Sequence, residues 1–508
     1  MRRIISFIGA LALAAGAVAA GTAHAAPNAN NSAKLRAAVT LDGVREHQRA
    51  LQDIADANGG NRQAGTPGHE ASAQYVAERA AAAGYDVTLQ PFDFLLVGDA
   101  TPPVLDRITP PSRSFVNGVD FASMTYSGSG DVTAPVVAVD LVVPSPAPNA
   151  STSGCEAADF AGFSAGAIAL VQRGTCTFRS KADNALAAGA SGVIVFNEGN
   201  PGRTAVLNGT LSPPLHSLPV VGTSFEVGDN LRNGVSNGST GVTVRLRVDV
   251  VAETRTTTNV IAETPGGAAD NVVVVGAHLD SVSRGPGIND NGSGSAANLE
   301  TAEQMAKVKP RNKVRFIWFS AEELGLVGSR FYVNSLTPQE RGNIALMLNF
   351  DMIGSPNFVR FVYDGDTSDT TPPAGGAPQG SAQIEQVYLD YFASQGLATE
   401  PTAFDGRSDY GPFIATGIPA GGLFTGAEGI KTPAQQAIYG GTAGQPFDPC
   451  YHLACDTFAN YSATALDQMS DAIAHSVITF AQSTALVNDK KGKGNFNTAA
   501  QVNLQAAR

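Results

Sequence analysis

The sequence lacks Lys/Arg-rich runs, long internal apolar segments and internal repeats. Its 508 residues carry a formal net charge of −12, and no basic cluster is present that could neutralise a phosphate backbone, so nucleic acid is not an expected partner. No stretch beyond the N-terminal segment is apolar for long enough to span a bilayer, which argues against an integral membrane protein. The hydrophobic content of 43% is ordinary for a globular protein with a large core.

The N-terminal segment has the form of a secretory signal peptide. Met1-Arg2-Arg3 is basic, the run from Ile4 to Ala20 is almost wholly apolar, and Ala23-His24-Ala25 has the small-x-small form of a cleavage site. A membrane anchor is the alternative, but Gly and Ala dilute the apolar run and a cleavage site ends it. We therefore predict that residues 1–25 are removed and that the protein is secreted, extracellular and free of the membrane.

Cysteine is scarce, and four cysteines in an exported chain predict two disulfides. Local pairing would join Cys155 to Cys176 and Cys450 to Cys455. Short loops close easily, and neither pair has the C-x-x-C spacing of a metal site, so local pairing is favoured among the three possible connectivities. The sequence alone does not decide the pairing.

Hydrophobic periodicity predicts an α/β fold with a mainly parallel central sheet flanked by helices, interrupted by a β-rich insert. Helical spacing predicts two helices between Val44 and Ala83, and short β-branched runs follow from about 85 to 255. From Asn271, strands alternate with helices, which is typical of a parallel sheet covered on both faces. The predicted units are the main domain at 37–120 and 245–485, the insert at 121–244 and a flexible tail at 486–508.

Acidic side chains follow three successive predicted strands, at the edge where open α/β sheets place their ligands. Any one of these acids alone could be a solvated loop residue. Together they would repel each other unless a cation held them. The residues at these strand ends and in the Gly-rich loop between them are His278, Asp280, Asp290, Glu322, Glu323 and Asp351.

His452 is the best second imidazole, because the expected Cys450 to Cys455 loop would fix its direction. Two imidazoles with three carboxylates suit zinc, whereas an all-oxygen set would suit calcium or magnesium. Five ligands exceed the need of one tetrahedral zinc with an open position but suffice for two zinc ions that share a carboxylate. Glu322 is then the expected general base in the hydrolysis of an acyl bond such as a peptide.

Five segments carry a specific resemblance, and they begin at Ala277 (AHLDSVS), Gly287 (GINDNGSGSAA), Ser320 (SAEELGLVGS), Asn349 (NFDMIGSPN) and Gly406 (GRSD). They closely resemble the secreted double-zinc leucyl aminopeptidases of the Streptomyces type, within the wider family that includes glutamate carboxypeptidase II. The similarity covers about 44–95 and 257–485. It implies a zinc aminopeptidase that removes large apolar N-terminal residues such as leucine from peptides with a free N-terminus. We expect a monomer.

The resemblance also assigns roles to individual residues. One zinc would be held by His278, Asp290 and Asp351, and the other by Asp290, Glu323 and His452. The resemblance further implies Glu322 as the base, Asp280 orienting His278, Tyr451 stabilising the oxyanion, Arg407 with Glu322 and Asp351 near the substrate amine, and a cis peptide bond between Asp290 and Asn291.

The insert resembles a protease-associated domain in the segments around Gly154-Cys155, Ala167 to Phe178 and Asn184 to Phe196. This resemblance supports the Cys155 to Cys176 disulfide. It implies a lid or a substrate-access element, with a structural spacer as the open alternative. No catalytic residue is assigned to the insert.

Two departures from the family pattern are present. Ser408-Asp409-Tyr410 stands where many relatives have Ser-Asp-His. Asp467 and Asp471 match two acids that bind calcium in some relatives, but Ala38 stands near the third ligand position, which argues against calcium.

Two other functions compete with an aminopeptidase. A carboxypeptidase of the wider family would need a basic pocket, for which Arg407 alone is a thin basis. A catalytically silent binding protein would have lost ligands or the base, whereas all five ligands and Glu322 are present.

Overall fold

The computed structural model describes residues 32–373 and 375–488, so the predicted signal peptide and residues 489–508 of the predicted tail lie outside the described residues. Every helix in the described part is too short or too polar to cross a membrane. The helices are α1 Ser32–Ala38, α2 Leu41–Ala57, α3 Pro67–Ala82, α4 Phe178–Ala187, α5 Phe225–Arg232, α6 Gly292–Met305, α7 Val327–Ser335, α8 Pro338–Asn343, α9 Ser381–Ser394, α10 Tyr410–Ala415, α11 Pro433–Tyr439, α12 Ala463–Gln482 and α13 Ala485–Asn488. The strands are β1 Asp86–Arg107, β2 Arg113–Ser114, β3 Phe121–Ser123, β4 Gly130–Ala138, β5 Ile168–Gln172, β6 Gly192–Phe196, β7 Val220–Thr223, β8 Gly238–Glu263, β9 Ala268–His278, β10 Asn312–Phe319, β11 Ile344–Phe350, β12 Phe361–Tyr363, β13 Glu400–Thr402 and β14 Ala420–Phe424.

One mixed sheet runs through the whole molecule, in the order β13-β12-β14-β11-β9-β10-β8-β4-β5-β6-β7-β3. The neighbours β14, β11, β9 and β10 are parallel, as are β4 to β7. Buried Val, Ile and Leu fill β9 and β11 because helices cover both faces there. The α/β fold with a mainly parallel sheet is confirmed.

Two long antiparallel strands join the main domain to the insert. Strand β1 pairs with β8 from Asp86 opposite Glu263 to Arg107 opposite Val244. The predicted boundary at 244/245 falls inside β8, so the chain does not pass between the two units through a flexible linker. The middle of β8, from Glu253 to Asn259, is polar throughout, so this part of the strand carries no hydrophobic signal of its own.

The insert contains more helix than its β-rich pattern predicts. Helices α4 and α5 pack on its parallel strands, and α4 buries only small or polar side chains such as Ala182 and Ala185. Alanine carries weak hydrophobic periodicity, which explains why sequence reasoning did not find this helix. Part of the insert core is continuous with the main domain, since Tyr126 and Val195 share a buried cluster with Ala321.

The cysteine pairing is the local one. Cys155 is bonded to Cys176 and Cys450 to Cys455, and no described cysteine is free.

The predicted tail needs a correction at its start, because Leu486 and Val487 belong to α13 and pack against the main hydrophobic core.

Arg62 is a fully buried cation that holds two loops of the main domain together. Its guanidinium donates to the carbonyl oxygens of Leu279, Pro286 and Gly287, and its backbone N–H donates to the Ser281 hydroxyl at 2.9 Å. Burial lowers the pKa of Arg62 to about 10, and the charge of Asp280 opposes that decrease. Arg62 therefore anchors its own loop, between α2 and α3, to the loop that connects β9 to α6.

We expect Arg62→Met to lower the free energy of unfolding by about 3–5 kcal/mol, because three buried carbonyl oxygens lose their donor. Denaturant unfolding followed by circular dichroism measures this loss. Arg245→Gln removes an exposed ion pair with Asp131 and serves as the control with an unchanged midpoint. Equal midpoints for the two variants would contradict the anchoring role.

Candidate metal centre

Strand ends bring the predicted ligands together at one edge of the sheet. His278 is the last residue of β9, which lies between β10 and β11 in the sheet. Glu322 and Glu323 follow the end of β10, and Asp351 follows the end of β11. Asp290 comes from the loop before α6. The convergence expected from the parallel pattern is therefore present.

The ligand atoms form two groups that share Asp290. Asp290 Oδ1 lies 3.3 Å from His278 Nε2, which lies 3.3 Å from Asp351 Oδ1. Asp290 Oδ2 lies 3.2 Å from His452 Nε2, which lies 3.0 Å from Glu323 Oε2. Within each group, all three ligand atoms lie within 4.8 Å of one another. One carboxylate thus offers a different oxygen to each group.

The donor set fits a pair of divalent cations. Glu323 Oε1 and Asp351 Oδ1 are buried and have no hydrogen-bond partner, which is costly for a carboxylate unless a cation is bound. Burial raises the pKa of Asp290, but the imidazoles of His278 and His452 outweigh it and keep the pKa low. The shared carboxylate is therefore anionic and available as a ligand.

Glu322 lies beside the ligands without belonging to either group. Its Oε2 is 3.9 Å from His278 Nε2. Burial raises the pKa of Glu322 well above its usual value; the charge of His278 opposes this, and those of Glu323 and Asp351 add to it. A carboxyl group held in this environment binds a proton more readily than an exposed one, as a general base requires.

Asp280 fixes the loop that carries Glu322. Its carboxylate accepts the backbone N–H groups of Glu322 and Glu323 at 3.1 and 3.4 Å. His278 Nδ1 lies 3.1 Å from the carbonyl oxygen of Asp280 and 3.7 Å from its carboxylate. The predicted orientation of His278 by Asp280 thus has its closest contact through the backbone.

The backbone is strained at three places around the site. Ala321, Met352 and His452 have φ of 56°, 50° and 59°, in the left-handed region that side chains disfavour. Each is a ligand or stands next to Glu322 or Asp351. Such strain concentrates at functional sites, where the surrounding structure holds it. The cis peptide bond expected between Asp290 and Asn291 is also present.

Tyr451 and Arg407 meet beside His452. The Tyr451 ring stacks on His452 with ring centroids 3.8 Å apart. Arg407 Nη2 donates to the Tyr451 hydroxyl at 3.0 Å, and Nη1 forms an ion pair with Glu428 at 3.0 Å. Glu428 was not found by sequence reasoning, because an acid in a Gly-rich loop carries no distinguishing signal.

Two further supports of the ligands were also missed. Asp456 accepts the backbone N–H groups of Asn289 and Asp290 at 2.8 and 2.9 Å, and burial raises its pKa to about 8. Ser408 donates to Asp351 Oδ2 at 2.6 Å. Asp456 could have been found from its position directly after Cys455, because the Cys450–Cys455 disulfide holds this segment beside the ligand His452.

The departures from the family pattern lie outside the two ligand groups. Tyr410 is buried, and its hydroxyl donates to Asp405 at 3.0 Å, so its ring supports the loop of Arg407. Asp471 is one of the two acids matched to a calcium site. Its Oδ2 lies 3.4 Å from Arg36 Nη1, so an arginine already supplies the positive charge there.

Other acidic groups have competing partners. In the group of His47, Glu300 and Glu303, Arg79 already binds both oxygens of Glu303 at 2.6 and 2.9 Å. In the group of Asp364, Asp366 and Glu385, the Asp364 carboxylate accepts backbone N–H groups at 2.7–3.2 Å. The pair of groups around Asp290 is therefore the better metal candidate.

Two family models match this chain. Residues 259–477 match the model of peptidase family M28, and residues 132–231 match that of the PA domain. An aminopeptidase of Pseudomonas aeruginosa (strain UCBPP-PA14) is 50% identical over 450 residues, which cover 88% of this chain and 82% of that protein. Leucine aminopeptidase 2 of Trichophyton equinum is 41% identical over 450 residues, covering 88% and 85%.

Solved structures share the same architecture. The aminopeptidase from Aneurinibacillus sp. strain AM-1 superposes with a TM-score of 0.66 at 28% identity, covering 88% of this chain and 95% of that one. The zinc aminopeptidase from Bacillus subtilis gives a TM-score of 0.58 at 25% identity, covering 87% and 95%. The Streptomyces subtype stays a prediction. The chain belongs to peptidase family M28, and it is a metallo-aminopeptidase with a PA domain.

Proposed function

We propose that this aminopeptidase is a secreted enzyme with two zinc ions, which removes large apolar N-terminal residues such as leucine from peptides. The observation that carries the proposal is the placement of Asp290, with one oxygen facing His278 and the other facing His452. A carboxylate in that position suits a ligand shared by two ions. The PA domain is assigned no part in the chemistry.

The ligand set favours zinc. His278 and Asp351 would hold one ion, Glu323 and His452 the other, and Asp290 both. Two imidazoles among the ligands favour zinc over calcium or magnesium, and a structural neighbour is named a zinc aminopeptidase. When bound, a zinc pair polarises the scissile carbonyl and makes a water molecule more acidic.

Glu322 and Tyr451 would handle the proton and the developing charge. Glu322 takes a proton from the attacking water and delivers it to the leaving amine, so one carboxylate serves both steps. The Tyr451 hydroxyl would donate a hydrogen bond to the oxygen that becomes negative in the tetrahedral state. Asp280, through the backbone of Glu322, keeps the base in place.

The proposed substrate is supported by the names of relatives and by the charges of the side chains around the site. Relatives are named leucine aminopeptidases, which supports a leucine preference. A carboxypeptidase would need a free cation for the substrate carboxylate, whereas Arg407 is already paired with Glu428. The carboxylates of Glu322 and Asp351 are available instead for a substrate ammonium group, with Arg407 nearby.

Secretion is supported by the two disulfides, which persist in oxidising compartments. The bond between Cys450 and Cys455 encloses Tyr451 and His452, so the geometry of the site itself depends on oxidation. We propose that the mature enzyme acts as an extracellular monomer.

Glu322→Gln keeps the size of the side chain but removes its ability to accept a proton. We expect kcat on leucyl p-nitroanilide to fall about 10²- to 10⁴-fold with unchanged zinc content. Glu78→Gln, on the exposed face of α3, is the matched control and should retain full activity. A kcat for Glu322→Gln equal to that of the control would exclude Glu322 as the base.

Elemental analysis of the purified chain should give about two zinc ions per molecule. His278→Ala and His452→Ala should each lower the count, because each removes a ligand from a different group. Chelation should lower the melting temperature and zinc should restore it, since binding to the folded state stabilises it. A wild-type count of one ion would contradict the two-metal proposal.

An N-acetyl group removes the charge that the site is proposed to recognise. We expect cleavage of leucyl p-nitroanilide, and a loss of about 10⁴-fold in kcat/KM for its N-acetyl form. Equal cleavage of both substrates would contradict recognition of the free amine. Zinc binding without cleavage of either would favour the carboxypeptidase alternative.

A further inference from the structure

Charged contacts link the PA domain to the active site. Arg173 follows strand β5 in the PA domain, and its Nη2 donates to Oε1 of Glu428 in the catalytic domain at 3.3 Å. Glu428 also accepts two hydrogen bonds from Arg407, at 3.0 and 3.3 Å. Arg407 in turn donates to the Tyr451 hydroxyl at 3.0 Å. Three consecutive contacts thus connect the insert to a residue beside the metal ligands.

Arg173 is held firmly on its own side of the boundary. Its side chain is 13% exposed, and its Nε lies 3.8 Å from Glu198, which is fully buried. Glu198 also accepts hydrogen bonds from Arg203 at 3.1 Å and from the backbone N–H of Asn149 at 2.7 Å. Arg173 therefore reaches Glu428 from a fixed support within the PA domain.

The surrounding backbone segments are also in close contact. Gly202 of the PA domain lies so near Ile430 that an added Cβ would stand 2.4 Å from the Ile430 side chain and 3.2 Å from the carbonyl oxygen of Glu428. Ser212 approaches Gly325, close to Glu323, in the same way. The PA domain thus packs against both segments that flank the active site, and Arg173 forms a charged contact within that interface.

The last contact has a chemical consequence at Tyr451. A phenol hydroxyl has one hydrogen and can also accept hydrogen bonds. Because Arg407 donates to this oxygen, the hydrogen of Tyr451 is left to point to another acceptor. A cation beside the oxygen also strengthens the hydroxyl as a donor, which suits the stabilisation of an oxyanion.

We propose that Arg173 of the PA domain is a positioning residue of the active site, which acts through Glu428 and Arg407 on the Tyr451 hydroxyl. This inference rests on the proposed role of Tyr451. The Arg407 side chain is 44% exposed, so its direction depends on the partners that hold it. Without Arg173, Glu428 loses a partner on Oε1, so the carboxylate that holds Arg407 against Tyr451 is itself less firmly held.

Arg173→Gln should lower kcat on leucyl p-nitroanilide about 5- to 20-fold, within the range of coupling between contacting residues. KM should change less than about twofold, because the oxyanion exists only in the transition state. Arg245→Gln is the matched control. It makes the same chemical change at an exposed arginine of strand β8, whose ion pair is with Asp131 and not with Glu428. Arg173→Lys should restore part of kcat by keeping a charge beside Glu428.

A double variant separates positioning from general damage. In the Tyr451→Phe background, Arg173→Gln should have little further effect on kcat, because the hydroxyl on which it acts is gone. Melting temperature and zinc content are measured for every variant. If Arg173→Gln does not fold, Arg173→Met, which keeps the aliphatic part of the side chain but not the charge, is taken through the same comparison.

Two results would overturn the proposal. One is a folded variant without the Arg173 charge that has the kcat of the Arg245→Gln control, and the other is an equal loss of kcat with and without the Tyr451 hydroxyl. A wild-type enzyme that fails to cleave the leucyl substrate contradicts the proposed function instead. The two failures are therefore distinguishable in one set of assays.

Discussion

Repulsion among carboxylates at one edge of the sheet is the constraint on which the site depends. Parallel strands β9, β10 and β11 end side by side, and the segments that follow them deliver Glu322, Glu323 and Asp351 into a buried space. Arg62 supplies a buried positive charge nearby, but it donates to carbonyl oxygens and does not reach the ligands. The fold therefore concentrates negative charge that bound divalent cations would offset.

The proposed metal ligands are fixed by hydrogen bonds to residues that are not ligands themselves. Asp456 fixes the backbone before α6 by accepting two N–H groups, and Ser408 orients Asp351. Such outer contacts set ligand direction and are needed for a preorganised site. They come from distant parts of the chain, so the site forms only when the whole sheet is assembled.

Sequence patterns predicted the features of this molecule that neighbouring residues in the chain determine. His278 and Asp351 were identifiable because each ends a buried apolar run, and His452 because two cysteines enclose it. Arg62 and Arg173 were not, since their importance lies in contacts with residues more than 200 positions away. The continuity of strand β8 was missed for a different reason. Apolar and polar residues alternate from Val242 to Val250, but the run from Glu253 to Asn259 is polar throughout, so its continuation into the main domain carries no hydrophobic signal.

The ribbon of β1 and β8 is a structural element that the two domains share. Strand β8 pairs with β10 in the catalytic part and with β4 in the insert, without a break between them. Excision of the insert would leave a long ribbon projecting from the sheet, with Val244 and Leu246 stripped of their cover. An unpaired apolar edge promotes aggregation. A shorter peptidase would therefore require that the outer parts of β1 and β8 be removed together with the insert.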